Sequence, residues 1–185
     1  MLITISGTPG SGKTTVAKLL SAQLGVPHVY AGDIYRQEAQ RRQMSLAELN
    51  ALAEADHSID RALDERMAAY ARAGGVVLEG RLAAFVARQE NVGALKVWLT
   101  ASDEIRADRV AQREQQDSQA VLAQNTARHS SDANRYKAIY GWDLDDTSIY
   151  DVIIVTDERR PEDVAAELSA AAREYFSSEE LRTPT

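Results

Sequence analysis

The stretch L-I-T-I-S-G-T-P-G-S-G-K-T-T-V-A-K-L-L, from Leu2 to Leu20, decides the fold. Its opening residues, Leu2–Ser6, are apolar and β-branched enough for a short buried strand. Thr14–Leu24 then reads as a helix, with Val16, Leu19, Leu20 and Gln23/Leu24 near one face and Gly25 just past its end. Between the two, Gly7-Thr8-Pro9-Gly10-Ser11-Gly12-Lys13-Thr14 matches the pattern G-x-x-x-x-G-K-[ST] at every fixed position. Glycines let such a loop curl until its backbone N–H groups point inward at phosphate oxygens, and the helix that follows adds the positive end of its dipole. Lys13 is placed to reach the β- and γ-phosphates of a nucleoside triphosphate, and the Thr14 hydroxyl to ligate Mg²⁺. The loop with Thr15 is therefore the expected ATP-binding segment.

Working outward, Pro27–Tyr30, Val76–Glu79, Leu95–Leu99 and Val152–Thr156 read as four further strands. Helical sequence separates them at Leu82–Gln89 and Asp103–Glu114, and Pro161 fits the first turn of a last helix, Pro161–Tyr175. Its apolar stripe is Val164, Leu168, Ala171/Ala172 and Tyr175. Strands alternating with helices, with near-continuous apolar strands, predict a five-stranded parallel sheet covered on both faces, a three-layer α/β fold. Two helical insertions interrupt the alternation, at 33–73 and 115–140. Ser45 opens S-L-A-E, a capping-box pattern with Glu48, and a further helix starting at Asp56 or Ser58 is expected to end at Gly74-Gly75. Such insertions are natural lids that keep water from a reactive phosphate. One domain over 1–176 is expected, with 177–185 a frayed tail lacking apolar periodicity.

Composition narrows the chemistry. The chain has 185 residues, 44% hydrophobic and 26% charged, an ordinary globular balance. There is no cysteine, which removes disulfides, thiolate metal sites and cysteine catalysis. No apolar run approaches the roughly 18 residues of a membrane span. The N-terminal apolar stretch has no basic flank and runs into the glycine-rich loop, so a signal peptide is not expected and a cytosolic protein is. A net charge of −7 speaks against a nucleic-acid surface, whereas a few arginines focused in one cleft can still hold a small phosphorylated ligand. A GTPase would be expected to carry N-K-x-D, which is missing, and an oligomeric motor ATPase would be larger. The remaining class is a kinase of small molecules, for which a monomer is the expectation. A nucleotide-binding regulator that uses ATP as a switch is its rival.

Further residues carry a resemblance. Besides ITISGTPGSGKTTVAKLL, the chain has AGDIYR at 31–36, VVLEGRLA at 76–83, RVAQRE at 109–114, RHSSDANRY at 128–136 and IYGWDLDDTSIYDVIIVT at 139–156. In that order, and over nearly the whole chain, these resemble the nucleoside monophosphate kinases of the archaeal cytidylate type. The D-G-F-P-R usual in adenylate kinases is replaced by Glu79-Gly80-Arg81, and their long lid is missing. The G-R-D-I-G-T of bacterial cytidylate kinases and the triple glycine of shikimate kinases are missing too. The resemblance implies a P-loop kinase fold with an acceptor-binding insertion at 33–73 and a lid at 115–140. It also implies transfer of the γ-phosphate of ATP–Mg²⁺ to CMP or dCMP. AMP, UMP or a shikimate-like acceptor stays open as an alternative.

Roles follow residue by residue. Glu79, at the end of an apolar strand, is placed to act on Mg²⁺ directly or through water, and Arg81 to clamp the acceptor phosphate. A purely structural Glu79–Arg81 pair is the alternative. The resemblance makes Asp33 a residue that orients water on Mg²⁺, against a plain helix N-cap, and makes Arg36 a holder of the acceptor's phosphate. It sets Arg109 near adenine and Arg113 near the phosphates of ATP. Arg128 and Arg135, two helical turns apart on one face, match lid arginines that converge on the transferring group, with a solvated charge stripe as the alternative. Asp132 between them is expected to orient either one. Asp56, Asp60 and Asp64, with Arg61 and Arg66, are acids and bases from which a cytosine pocket could be drawn, and the sequence does not choose among them. His28, His57 and His129 read as structural or surface residues. Trp98 reads as core, and Tyr136, Tyr140 and Tyr150 as packing residues.

Overall fold

The computed structural model describes residues 1–115 and 117–180, with the side chains of Arg128 and of 178–180 outside that description. Five parallel strands form one sheet: β1 (Leu2–Gly7), β2 (His28–Tyr30), β3 (Val76–Glu79), β4 (Leu95–Thr100) and β5 (Val152–Val155), in the order β2-β3-β1-β4-β5. β1 lies at the centre and is buried on both faces, as its unbroken apolar run requires. Its odd residues Ile3 and Ile5 join Val77, Val97 and Leu99 against helices α1 (Lys13–Leu24) and α8 (Pro161–Glu180), through Val16, Leu20, Val164 and Leu168. Leu2 and Leu78 face the other way, onto α2 (Ala31–Arg41), α3 (Leu46–Ala55), α4 (Ser58–Ala73) and α5 (Ala83–Gln89). Two hydrophobic layers thus sandwich the sheet, which is the predicted architecture.

Order matters for what comes next. From β1 the chain passes beyond β3 to β2, returns to β3, and only then crosses to β4 and β5. Connections leave β1 toward one edge and arrive from β3 at the other. The crevice at the carboxyl ends of β1, β3 and β4 is therefore the ligand position of an open parallel sheet. Ile5 pairs in register with Glu79, and Gly80 N–H donates to the Ile5 carbonyl at 3.1 Å. The glycine-rich loop and the Glu79-Gly80-Arg81 segment consequently leave the sheet side by side.

Several expectations are corrected at element boundaries. Helix α2 begins at Ala31, directly after β2, so Asp33 lies inside its first turn and Tyr30 is the N-cap. The helix N-cap alternative for Asp33 therefore fails. The helical readings of 103–114 and of 115–140 hold, with a break between the two. α6 (Asp103–Glu114) closes on Gln115 in the left-handed region at φ 54°, and α7 (Ser118–Tyr140) starts anew, its first N–H groups taken by the Asp117 carboxylate. Ser177–Glu180, expected to fray, continue α8; 181–185 lie outside the described residues. The sheet is covered on both faces as expected, except that on the edge strand β5 Ile153 is 51% and Val155 56% exposed. Trp98, expected in the core, is only partly buried and packs on Tyr150 with ring centroids 5.0 Å apart. The capping box is found as predicted: Glu48 N–H donates to the Ser45 hydroxyl, and Ser45 N–H to the Glu48 carboxylate at 2.7 Å.

Candidate active site

A cavity of about 770 Å³ opens over the carboxyl ends of the central strands. Its floor is Pro9–Gly12, part of the loop Gly7–Gly12, whose shape only glycine permits. Gly7 has φ +145°, and a Cβ there would sit 2.0 Å from the Leu99 carbonyl oxygen. Gly12, the N-cap of α1, lies in the left-handed region at φ +86°. No side chain caps α1, so its first N–H groups face the cavity as an anion site. Of the segment expected to bind ATP, Pro9 through Thr15 line the cavity, while Gly7 and Thr8 lie behind it. Lys13 Nζ donates to the Thr8 carbonyl at 2.6 Å, folded over its own loop.

The loop is fastened from α6. Arg109 donates to the Thr156 hydroxyl at 3.0 Å and carbonyl at 2.8 Å, and to the Gly10 carbonyl at 3.4 Å. Thr156 in turn donates to the Ser11 carbonyl at 3.1 Å. Arg109 thus braces the loop while lining the cavity on the side away from the 33–73 helices. Arg106, given no role from sequence, does similar work by donating to the Ala101 and Pro9 carbonyls, and it pairs with Asp103. Arg113 lines the cavity too, but its side chain is largely exposed and paired with Glu114 at 2.5 Å.

Thr14 and Glu79 meet across the sheet. The Thr14 hydroxyl donates to Glu79 Oε1 at 2.6 Å, and His28 Nε2 lies 2.8 Å from Glu79 Oε2. Glu79 is 1% exposed, so both its oxygens are held by named partners. His28 therefore has a specific partner that reading the sequence missed; 51 residues separate the two, and only β2–β3 pairing joins them. The alternative of a Glu79–Arg81 pair is not what forms. Arg81 instead donates to Asp132 Oδ2 at 2.5 Å, from β3 across to α7.

Asp132 bridges two arginines, because Arg135 also reaches its Oδ1 at 3.0 Å. Arg135 further lies 2.7 Å from Asp60, and that carboxylate is 1% exposed. Burial pushes the Asp60 carboxyl up, opposed by Arg135 and by the Tyr136 hydroxyl. One turn along α4, the Tyr140 hydroxyl donates to Asp64 at 3.0 Å, and burial pushes the Asp64 carboxyl up to about 7. Arg81, Asp132, Arg135 and Asp64 all line the cavity. The stripe alternative thus fails for Arg135, which is buried. The Arg128 side chain lies outside the described residues. Tyr136, Tyr140 and Trp142 stack on one another, with Trp142 also on Phe85, and anchor the end of α7.

Two expected site residues are not brought in. Asp33 and Arg36 pair with each other at 2.7 Å, both more than half exposed, with Arg36 over the Tyr30 ring. Neither is among the residues that line the cavity. Among the described residues there is no cluster of three or more His, Asp or Glu able to hold a metal by itself.

A loop braced against α6, a hydroxyl–carboxylate pair beneath it and two arginines opposite are the parts of a phosphotransferase. A model of the cytidylate kinase-like family matches residues 2–158. The chain belongs to that family. Among relatives in the family, the cytidylate kinase of Methanopyrus kandleri is 43% identical over 178 residues, 92% of each chain. That of Halobacterium salinarum is 41% identical over 186 residues, spanning all of this chain and 95% of the other. Solved structures at lower identity show the fold shared more widely. A shikimate kinase from Bacteroides thetaiotaomicron superposes with TM-score 0.62 at 17% identity, over 94% of this chain and 98% of that one. An uncharacterized protein from Eubacterium ventriosum gives 0.67 at 17% identity, over 92% and 97%. These likenesses show the fold alone.

Proposed function

We propose that the chain transfers the γ-phosphate of ATP to CMP or dCMP, yielding ADP and the nucleoside diphosphate. The observation that carries this reading is one cavity lined both by the phosphate-binding loop and by Arg81 and Arg135. The triphosphate lies along the loop, its phosphates met by the α1 N-terminus and Lys13. The acceptor's phosphate lies against Arg81 and Arg135, held bidentately as guanidinium geometry allows. An oxygen of that phosphate attacks the γ-phosphorus and the bond to the β-phosphate oxygen breaks. The acceptor is already an anion at neutral pH, so no general base is needed. The protein supplies alignment and positive charge around the transferring group.

Thr14 and Glu79 fit Mg²⁺. A hydroxyl and a buried carboxylate 2.6 Å apart are hard oxygen donors, and Mg²⁺ is commonly held by few protein oxygens, with water and phosphate completing its shell. Bound there, the ion would supply positive charge to offset that of the triphosphate. Asp33, exposed and paired with Arg36, has no support as a further metal residue, and Arg36 none as a phosphate holder in this arrangement. α7, residues 118–140, serves as the lid, and α2–α4 as the acceptor-binding insertion. One chain supplies every group named, so the active form is a monomer. Its substrates put the activity in the cytoplasm. Among the described residues no helix is long and apolar enough to cross a membrane.

A coupled assay with ATP–Mg²⁺ and a panel of CMP, dCMP, UMP, AMP and shikimate tests the reading. CMP and dCMP should be phosphorylated far better than the others. AMP as the best acceptor would overturn the base assignment, and slow hydrolysis of ATP regardless of acceptor would favour an ATP switch instead.

A further inference from the structure

The reading above gives the part of the cavity built by α2, α3 and α4 to the acceptor but assigns no residue there to its base. Leu46, Leu63 and Met67 give that part apolar walls, Tyr35 adds a ring, and its polar groups are Asn50 and Asp64. Apolar walls with a few convergent polar groups are how a protein holds a flat heteroaromatic ring: the faces are buried and the edge is hydrogen-bonded. The two polar groups are not alike. Asn50 Oδ1 accepts from the Tyr35 hydroxyl at 2.6 Å, which leaves its amide N–H groups to donate. Asp64 receives one hydrogen bond, from Tyr140, and among the described residues it has no ion pair. Its neighbour Asp60, one turn earlier on the same face of α4, is committed to Arg135 and Tyr136. A secluded carboxyl that faces a cavity with one donor is poorly satisfied until something else donates to it. Its upward-shifted pKa fits that account. Asp64 stands one helical turn beyond Asp60, the acid that holds Arg135, and lines the same cavity as Arg135.

Cytosine presents an exocyclic amino donor beside ring acceptors, whereas uracil presents a carbonyl oxygen at the same place. Resting on the reading of the chain as a CMP kinase, we propose that Asp64 determines base specificity: its carboxyl oxygen accepts from the cytosine amino group while the Asn50 amide donates to the ring's acceptor edge. A carboxylate facing the uracil carbonyl would meet repulsion, so one residue both attracts the right base and rejects the wrong one.

The test is kcat/KM for CMP and UMP, at saturating ATP–Mg²⁺, in the wild type and in Asp64→Asn, with thermal unfolding as a check on folding. The asparagine amide can donate to the uracil carbonyl. The CMP-over-UMP preference should therefore fall by about 10- to 100-fold, mainly through KM, with the KM for ATP unchanged. A merely structural role would weaken both acceptors alike, so an unaltered preference overturns the assignment. Should Asp64→Asn not fold, Asp64→Ser replaces it, read by equilibrium binding of the two monophosphates. The wild type supplies an independent arm. A pyrimidin-2-one nucleoside monophosphate, lacking the amino group, should be about 10- to 100-fold poorer than CMP, and equal use of the two overturns the proposal. A wild type that does not phosphorylate CMP overturns the function reading and this inference with it. A wild type that does, with the preference intact in the variant, overturns the Asp64 assignment alone.

Discussion

Lys13 and Arg135 are both cations of the cavity, and their removal should fail in different ways. Lys13 rests on a backbone carbonyl of its own loop and is not part of the core. Lys13→Ala should therefore lower kcat by about 100-fold or more, with the unfolding midpoint nearly unchanged; wild-type turnover would sink the loop's assigned role. Arg135 is the cation beside a 1%-exposed carboxylate. Arg135→Ala leaves Asp60 buried without its partner, which costs about 3–5 kcal/mol, so lost activity there mixes chemistry with unfolding. The double change Asp60→Leu with Arg135→Met should restore much of the urea stability and none of the turnover. Recovered turnover would mean that Arg135 is structural only. At this scale the sequence was legible where a motif fixes position: Lys13, Thr14, Glu79 and Arg81 are all where their neighbours in the chain imply. It failed at Asp33 and Arg36, because nothing in AGDIYR reveals that a helix starts with no intervening loop and sets them one turn apart, free to pair with each other.

Some helix termini were readable from residue type, whereas the Asp117 cap of α7 was not. Ser45 with Glu48 and Gly25 after α1 act as their residue types dictate. Ser45→Ala removes the hydroxyl that accepts from Glu48 N–H and should lower Tm by about 2–4 °C. The same helix carries Leu46 and Asn50 into the cavity, so the KM for CMP should rise while the KM for ATP does not. A rise in both would place the effect elsewhere. The end of α6 at Glu114 was read, although Gln115 closes it in the left-handed region without a glycine, whereas α8 runs through Ser177–Glu180 without an apolar stripe to announce it. The continuous apolar run of β5 is likewise silent about which strand becomes the edge, where Ile153 and Val155 are exposed.

For the molecule as a whole, five strands and two insertions were legible from period and punctuation, whereas strand order and the partners of buried charges were not, since both depend on contacts between distant segments. The buried acids also set how stability varies with pH. The Asp64 carboxyl rises from an ordinary 3.8 to about 7 on folding, so the folded chain binds more protons than the unfolded chain across that window. The group therefore costs stability as pH rises from about 4 to about 7, with no further change above. Denaturant midpoints should show Asp64→Asn gaining on the wild type over that interval, and a constant difference would mean that the carboxyl titrates normally. Asp132, which holds Arg81 at 2.5 Å and Arg135 at 3.0 Å, adds a last consequence. On the proposed reading, the acceptor's phosphate meets guanidinium groups that already have a counter-anion of their own, so the cavity would work as an ion exchanger. Loading would exchange one ion pair for another, with the released Asp132 carboxylate still tethered to α7. Affinity for the acceptor should then vary weakly with ionic strength, whereas Asp132→Asn should bind inorganic phosphate more tightly and release it steeply as salt is added.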